Sequence, residues 1–328
     1  MPFLLTNREL LDGYGERLHE VYRRCSIHFD PLTLPEAEEQ RFDDTTLAAI
    51  ELAVFTGVWE ADPVFTRRFL GSCLRARNLR WLHLPNAGID HPVFGQLLAQ
   101  GVRLTTSSGA TAEPIAQTAI AGLLALARGF PRWAEAQRQH RWQPLRSGRP
   151  DLRGQTMVLV GVGAIGNQIA RLAQVLGLRV VGIRRSPRQA GDHVDEMHAP
   201  GRLNKLLPQA DWLVLACPLT DETRHLIDSK ALARLRPSAH VINVARGAVV
   251  DEAALTAALQ DKRLAGAYLD VFVTEPLPQD SPLWDLPNVI VSPHDCDGSS
   301  GNAERISELF LQNLERWARG EALENEVK

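Results

Sequence analysis

Cysteine is scarce in this chain and widely scattered. Cys25, Cys73, Cys217 and Cys296 are the only four among 328 residues, and no two of them form a C-x-x-C pair. That spacing argues against a disulfide framework or a thiolate zinc site and fits a reducing, cytoplasmic setting; no metal is expected. No apolar run approaches the length needed to span a bilayer. The opening residues Met1 to Arg8 lack the charged and apolar regions of a signal peptide. Charge of one sign is missing as well: 36 Lys and Arg against 39 Asp and Glu leave a net −3. Without a basic field, neither nucleic acid nor an anionic membrane is expected as a partner. An anionic ligand would have to be held by local donors. Repeats at solenoid periods and low-complexity tracts are absent too.

What the sequence does contain is an alternation of short apolar runs with amphipathic stretches, the pattern of α/β layering. The length suits two domains. The first series predicts strands at 2–5, 27–29, 52–55 and 79–84, with helices over 8–24 and 63–76. Residues 104–107 read as an extended crossing. A nearly all-apolar helix is expected over 112–128, buried on most sides, followed by a polar, Arg-rich arm from Phe130 to about Pro144. A second series predicts strands at 157–160, 179–183, 212–216, 240–244, 265–271 and 289–291, with a helix over 167–176. Such continuous apolar strands belong to parallel sheets covered on both faces. The expected fold is α/β, with two Rossmann-like, doubly wound parallel-sheet domains. The smaller one is flavodoxin-like and discontinuous, built from 1–103 and 293–328 and including a last helix over 303–319. The larger one occupies 104–292. Two crossings between them imply a cleft with a hinge.

Residues 161–166 read Gly-Val-Gly-Ala-Ile-Gly, directly after a predicted strand and opening a helix. Gly161 permits the tight turn, and Gly163 lets backbone approach a pyrophosphate. Gly166 lets helix and strand pack closely, the helix N-terminus supplies N–H donors and positive dipole, and Ala164 and Ile165 between the glycines are counted with the cofactor site. An NAD-selective site would place an acid about 20 residues further on, to accept from the ribose 2′-hydroxyl. That place is held by Arg184, followed by Arg185 and Ser186, and no acid follows until Asp192. Two guanidiniums favour a 2′-phosphate, so NADP(H) is the expected cofactor and NAD(H) the second choice.

Three further segments complete an ordered set: Ile-Asn-Val-Ala-Arg-Gly-Ala-Val-Val-Asp-Glu-Ala-Ala-Leu at 242–255, Leu-Asp-Val-Phe-Val-Thr-Glu-Pro at 269–276 and Val-Ile-Val-Ser-Pro-His at 289–294. With the glycine loop they resemble the D-isomer-specific 2-hydroxyacid dehydrogenase family, from about Leu79 to Leu314. The resemblance makes the smaller domain the substrate domain and the larger one the dinucleotide domain. It implies that Arg246 holds the substrate carboxylate and polarises the carbonyl. His294 is then the general acid in reduction and the base in oxidation, with Glu275 paired to it. Imidazole suits that task near neutrality, and a neighbouring carboxylate should raise its pKa. By the same resemblance, Asn86, Ala87 and Gly88 in the loop Pro85–Asp90 donate backbone N–H groups to the substrate carboxylate. His83 and His91 flank that loop. Cys217, Pro218, Thr223, Val244 and Ala245 lie along the cofactor, and Asp270 accepts from its carboxamide. The implied activity is NAD(P)H-dependent reduction of a small 2-keto acid, glyoxylate- or hydroxypyruvate-like, by a cytoplasmic homodimer joined through the 130–142 arm.

The chain departs from the family pattern after His294, where Asp295, Cys296 and Asp297 replace small or apolar residues. It departs again on the long helix, where Gln117 and Thr118 replace an acid–His pair. Formate or phosphite oxidation on the same scaffold is one rival reading. A non-catalytic, corepressor-like dinucleotide sensor is the other.

Overall fold

Every ladder between named strands is parallel, as apolar runs buried on both faces require. The structure, a computed structural model, describes residues 1–57, 62–89, 91–145 and 150–327. It divides into two units, Met1–Thr111 with Ser299–Lys328, and Ala112–Gly298. The sequence alone suggests these passages at 103–104 and 292–293. Residues 103–106 form a strand of the first unit, and the turn after 292 is tied by hydrogen bonds to Asp270 of the second.

The first unit runs β1 (Phe3–Thr6), α1 (Arg8–Cys25), β2 (Asp30–Thr33), α2 (Asp44–Ala49), β3 (Ile50–Val54), α3 (Pro63–Arg75), β4 (Trp81–Leu84), α4 (Pro92–Ala99) and β5 (Arg103–Thr106). The strands pair in the order β2-β1-β3-β4-β5, the flavodoxin order. Alternate residues explain the two covered faces. Leu4, Leu52, Val54 and Trp81 pack with α1 and with the C-terminal helix α11 (Asn302–Ala318); Leu5, Ala53, Leu82 and Leu84 pack with α3 and α4. Helix starts follow capping chemistry: Asp43 and Asp62 accept from backbone N–H groups three residues on, and Pro63 follows the latter cap. Two expectations shift. The strand expected at 27–29 forms at Asp30–Thr33, because Ser26 turns left-handed (φ 54°) to end α1 and Phe29 packs into the core. The extended crossing at 104–107 is a strand paired to β4, and Val327 N donates to Leu104 O beside it.

The second unit runs α5 (Ala112–Arg128), α6 (Phe130–Arg138), β6 (Thr156–Val160), α7 (Ala164–Val175), β7 (Arg179–Ile183), β8 (Glu196–His198), α8 (Leu203–Leu206), β9 (Trp212–Leu215), α9 (Ser229–Leu232), β10 (His240–Asn243), α10 (Glu252–Gln260), β11 (Gly266–Leu269) and β12 (Val289–Val291). Its sheet order is β12-β11-β10-β9-β6-β7-β8, so the winding reverses between β6 and β9. Ligands of open α/β sheets bind at the carboxyl ends beside such a reversal. Helix α5 lies against the sheet at Gly122, where a Cβ would fall 2.5 Å from the Tyr268 ring. Among the described residues no helix is long and apolar enough to cross a membrane.

Candidate active site

The glycine loop leaves the carboxyl end of β6, and α7 starts at Ala164, three residues earlier than the periodicity predicts. Gly163 is therefore the N-cap itself. Gly161 has φ 95°, and a Cβ there would sit 2.6 Å from the backbone of Ala216 and Cys217. A Cβ on Gly166 would lie 1.9 Å from Gly161 O, so close helix–strand packing needs glycine. Gly163 faces open space, with nothing within 4 Å of its would-be Cβ, and Ala164 beside it is exposed. An uncrowded helix N-terminus of this kind fits a pyrophosphate. Cys217 is buried, which pushes its thiol up to about 11, and it serves as packing. Thr223 closes the next turn, donating to Pro218 O at 2.7 Å and accepting from Thr220 N. Val244 and Ala245 are buried; Asn243 holds their turn, accepting from Ala245 N and donating to Arg246 O.

At the end of β7 the structure separates two arginines that the sequence treats alike. The Arg184 guanidinium donates to both Asp192 oxygens, at 2.9 and 2.7 Å, and to Val162 O at 2.8 Å. Its side chain is 17% exposed and that of Asp192 6%. Burial pushes the Asp192 carboxyl up, but the bonds from Arg184 and Gln189 N prevail and hold it below its ordinary value. Arg184 is thus committed inside the loop, an engagement that eight residues of separation hid from the sequence reading. Arg185 is 76% exposed and stands 3.7 Å from the equally exposed Glu222; Ser186 is also exposed.

The catalytic candidates come together in this unit, each just past one of three adjacent strands. Arg246 follows β10, Glu275 follows β11 and His294 follows β12. His294 Nδ1 donates to Glu275 Oε2 at 2.7 Å, and Glu275 Oε1 accepts from Phe272 N at 2.9 Å. The bond from Glu275 raises the pKa of His294; burial and the Arg246 charge oppose it, and Asp270 adds to the rise. Glu275 is pushed up by burial, yet the His294 bond and the Phe272 N–H leave it below its ordinary value. Both shifts favour an imidazolium–carboxylate pair. With Nδ1 engaged, Nε2 is the nitrogen left for proton transfer. Arg246 donates to Ala245 O at 2.7 Å, and its charge acts on both partners.

Asp270 is fully buried and accepts from Ser292 Oγ (2.6 Å), Asp295 N (3.1 Å) and Cys296 N (3.3 Å), while its own carbonyl accepts from His294 N (2.8 Å). It holds the turn on which His294 adopts φ 54°. Among the acids, Glu275 acts most strongly on the imidazole, and Asp270 adds to its effect. Thr118 donates to Cys296 O, and Gln117 to Glu113 on its own helix. Ser292 and Asn243, both turn-holding residues, were missed by the sequence reading. Their only signal was a polar residue closing an apolar strand.

In the first unit, the 85–89 loop follows β4. Asn86 Nδ2 donates to Gly88 O at 2.9 Å, Asn86 O accepts from Ser107 N, and Ala87 is exposed. Asp90 lies outside the described residues. His91 is the N-cap of α4, accepting from Val93 N, and His83 is buried in β4. Among the described residues no group of three or more His, Cys, Asp or Glu is arranged to hold a metal ion.

A glycine-rich loop at a helix N-terminus, with a histidine–carboxylate pair and an arginine past neighbouring strands, is the arrangement of a nicotinamide-dependent oxidoreductase. Residues 120–295 match the family model described as D-isomer specific 2-hydroxyacid dehydrogenase, NAD binding domain, and the chain belongs to that family. It is 37% identical over 250 residues to a glyoxylate reductase of Korarchaeum cryptofilum, covering 73% of each chain. It is 34% identical over 299 residues to an (S)-sulfolactate dehydrogenase of Chromohalobacter salexigens, covering 90% of this chain and 93% of that one. The fold is also similar to an NADPH-dependent glyoxylate/hydroxypyruvate reductase of Sinorhizobium meliloti solved with NADP and sulfate. That match has a TM-score of 0.77 and 26% identity, over 100% of this chain and 98% of the other.

Proposed function

We propose that this protein reversibly reduces a small 2-keto acid, of glyoxylate or hydroxypyruvate type, to the D-2-hydroxy acid with NAD(P)H. The observation that carries the reading is the 2.7 Å Glu275–His294 pair under the charge of Arg246, each group just past one of three adjacent strands. The dinucleotide, when bound, supplies the hydride. His294 Nε2–H gives its proton to the oxygen of the nascent alkoxide, and Glu275 stabilises the imidazolium before transfer. Arg246 pairs with the substrate carboxylate and orients the carbonyl beside it. In the first unit, the backbone N–H groups of Asn86, Ala87 and Gly88 are read as donors to a substrate carboxylate, a task suited to a turn with Ala87 exposed.

For the cofactor we propose Gly161, Gly163, Ala164, Ile165 and Gly166 around the pyrophosphate, with Cys217, Pro218, Thr223, Val244 and Ala245 lining the nicotinamide side. Asp270 both anchors the His294 turn and keeps acceptor capacity for a carboxamide, since a carboxylate offers about four lone-pair sites. A preference for NADP(H) rests on Arg185 and Ser186, with Arg184 shaping their loop. The exposed aromatics of the arm, Phe130, Trp133 and Trp142, support a two-fold homodimer; a monomeric mass in solution overturns it.

The test is the initial rate of NADPH and NADH oxidation with glyoxylate, hydroxypyruvate, pyruvate and phenylpyruvate. Rapid oxidation with a small keto acid is expected. Tight NADPH binding with no turnover across the panel refutes the reading and points to a sensor.

A further inference from the structure

One buried imidazole has no part in proton transfer. His83 is 0% exposed, and both ring nitrogens face hydroxyls: Nδ1 lies 2.7 Å from Thr105 Oγ1 and Nε2 3.1 Å from Ser107 Oγ. Counting protons fixes the direction of every bond. Trp81 Nε1–H can only donate, and it donates to Thr105 Oγ1 at 2.8 Å. The Ser107 hydroxyl has one proton, and it goes to Leu84 O at 2.7 Å. Toward the ring, Ser107 Oγ can therefore only accept, so His83 carries its proton on Nε2. Nδ1 is then an acceptor, and the Thr105 hydroxyl supplies it. The chain Trp81, Thr105, His83, Ser107, Leu84 O runs one way, with every polar atom used. Burial lowers the His83 pKa to about 3, so the ring stays neutral at working pH. Phe310 packs on the rings of both Trp81 and His83.

This chain ends at the turn that the proposed function assigns to substrate. Ser107 holds two points of it, Leu84 O through its hydroxyl and Asn86 O through its N–H at 3.1 Å. Asn86 Nδ2 closes the turn on Gly88 O. His83 thus fixes the hydroxyl that fixes the backbone of residues 84–88.

We propose that His83 is a positioning residue for substrate binding: its neutral Nε2–H imidazole, acting through Ser107, sets the backbone donors of the 86–88 turn. The inference rests on the reading of that turn as a carboxylate site. An imidazole suits the task because it presents an acceptor and a donor at opposite edges of one rigid plane.

The experiment compares the wild type with His83→Phe, His83→Gln and Ser107→Ala. Two readouts are taken: KM and kcat for the best keto acid at saturating dinucleotide, and amide hydrogen exchange at residues 86–88 without substrate. His83→Phe and Ser107→Ala are expected to raise KM about tenfold or more, as expected when a buried partner is removed. The same variants should change kcat by less than about threefold, the signature of lost binding that ground and transition states share. Exchange at 86–88 should quicken in both, and His83→Gln, which retains a donor and an acceptor, should recover most of the KM. A folded His83→Phe with wild-type KM and exchange overturns the proposal, as does a loss confined to kcat. Should His83→Phe fail to fold, Ser107→Ala decides by the same criteria. If exchange quickens but oxalate does not slow it in the wild type, the positioning role stands and the carboxylate reading falls.

Discussion

Consider Arg185→Ala set against Arg184→Ala. Arg185 is 76% exposed and 3.7 Å from a Glu222 that is 75% exposed. Such a pair contributes about 0–1 kcal/mol, so the guanidinium can leave it for a 2′-phosphate at little cost. A charge-assisted hydrogen bond is worth about 1.5–3 kcal/mol. Solvent exposure argues for the low end, about 1.5 kcal/mol, or roughly tenfold in Kd. Arg185→Ala should therefore weaken NADPH about tenfold and leave NADH within about twofold. Arg184→Ala removes the partner of Asp192, whose side chain is only 6% exposed. Breaking a buried pair costs about 3 kcal/mol at the low end, a fall of roughly 6–12 °C in Tm for a unit of this size. Its loss should fall on NADH and NADPH alike. Fluorescence titration of both dinucleotides at two ionic strengths reads the difference, because an exposed phosphate contact fades with salt. Equal weakening of NADH and NADPH by Arg185→Ala refutes the assignment. So does an Arg184→Ala protein with unchanged Tm and a selective loss of NADPH.

The remaining predictions concern the second unit. His294→Ala should cut kcat by about 10²–10⁴ and leave the dinucleotide Kd unchanged; unaltered turnover removes the acid–base role. Reduction needs His294 protonated, and Glu275 raises its pKa above the ordinary imidazole value. kcat/KM for reduction should therefore hold through that value and fall only above it, and Glu275→Gln should move the fall to lower pH; a profile that stays put contradicts the pairing. Gly163→Ala meets nothing within 4 Å, so it should keep the wild-type Tm while weakening both dinucleotides. Gly166→Ala, with a Cβ 1.9 Å from Gly161 O, should fail to fold; equal behaviour of the two in melting and titration defeats the cradle.

Much of this was legible in the chain because the signals are local. Six of the seven strands of the second unit are carried by mainly apolar runs, whereas the edge strand β8, Glu-Met-His, has no such signal; the glycine spacing places a turn and a close packing contact within six residues. Arg246, Glu275 and His294 stand out through the family resemblance of the segments that carry them, and the structure sets each past the end of a strand of the second unit. What stayed hidden depends on side chains that meet across loops. Arg184 and Asp192 are bonded although eight residues apart, and no periodicity links them. The start of β2 was misplaced because Ser26 takes a left-handed conformation that its type does not announce. The edge strand β5 looked like a crossing because only four residues, Arg-Leu-Thr-Thr, carry it. Its pairing with β4 and the backing of the C-terminal Val327 come from distant parts of the sequence.

The His294 turn explains why Asp270 is an acid. A non-glycine residue at φ 54° costs of order 1–3 kcal/mol, and an exposed loop would relax it away. Three donors converge on the Asp270 carboxylate, one from the Ser292 hydroxyl and two from the backbone of Asp295 and Cys296. An amide in its place would offer one oxygen and turn N–H donors toward donors, so the turn needs an acceptor-only group. The carbonyl of the same residue takes the His294 N–H, which fixes the backbone on both sides of the imidazole. Glu275, itself held by Phe272 N, then fixes the ring through Nδ1. The strain is retained where it sets the direction of Nε2, the atom from which a proton must move.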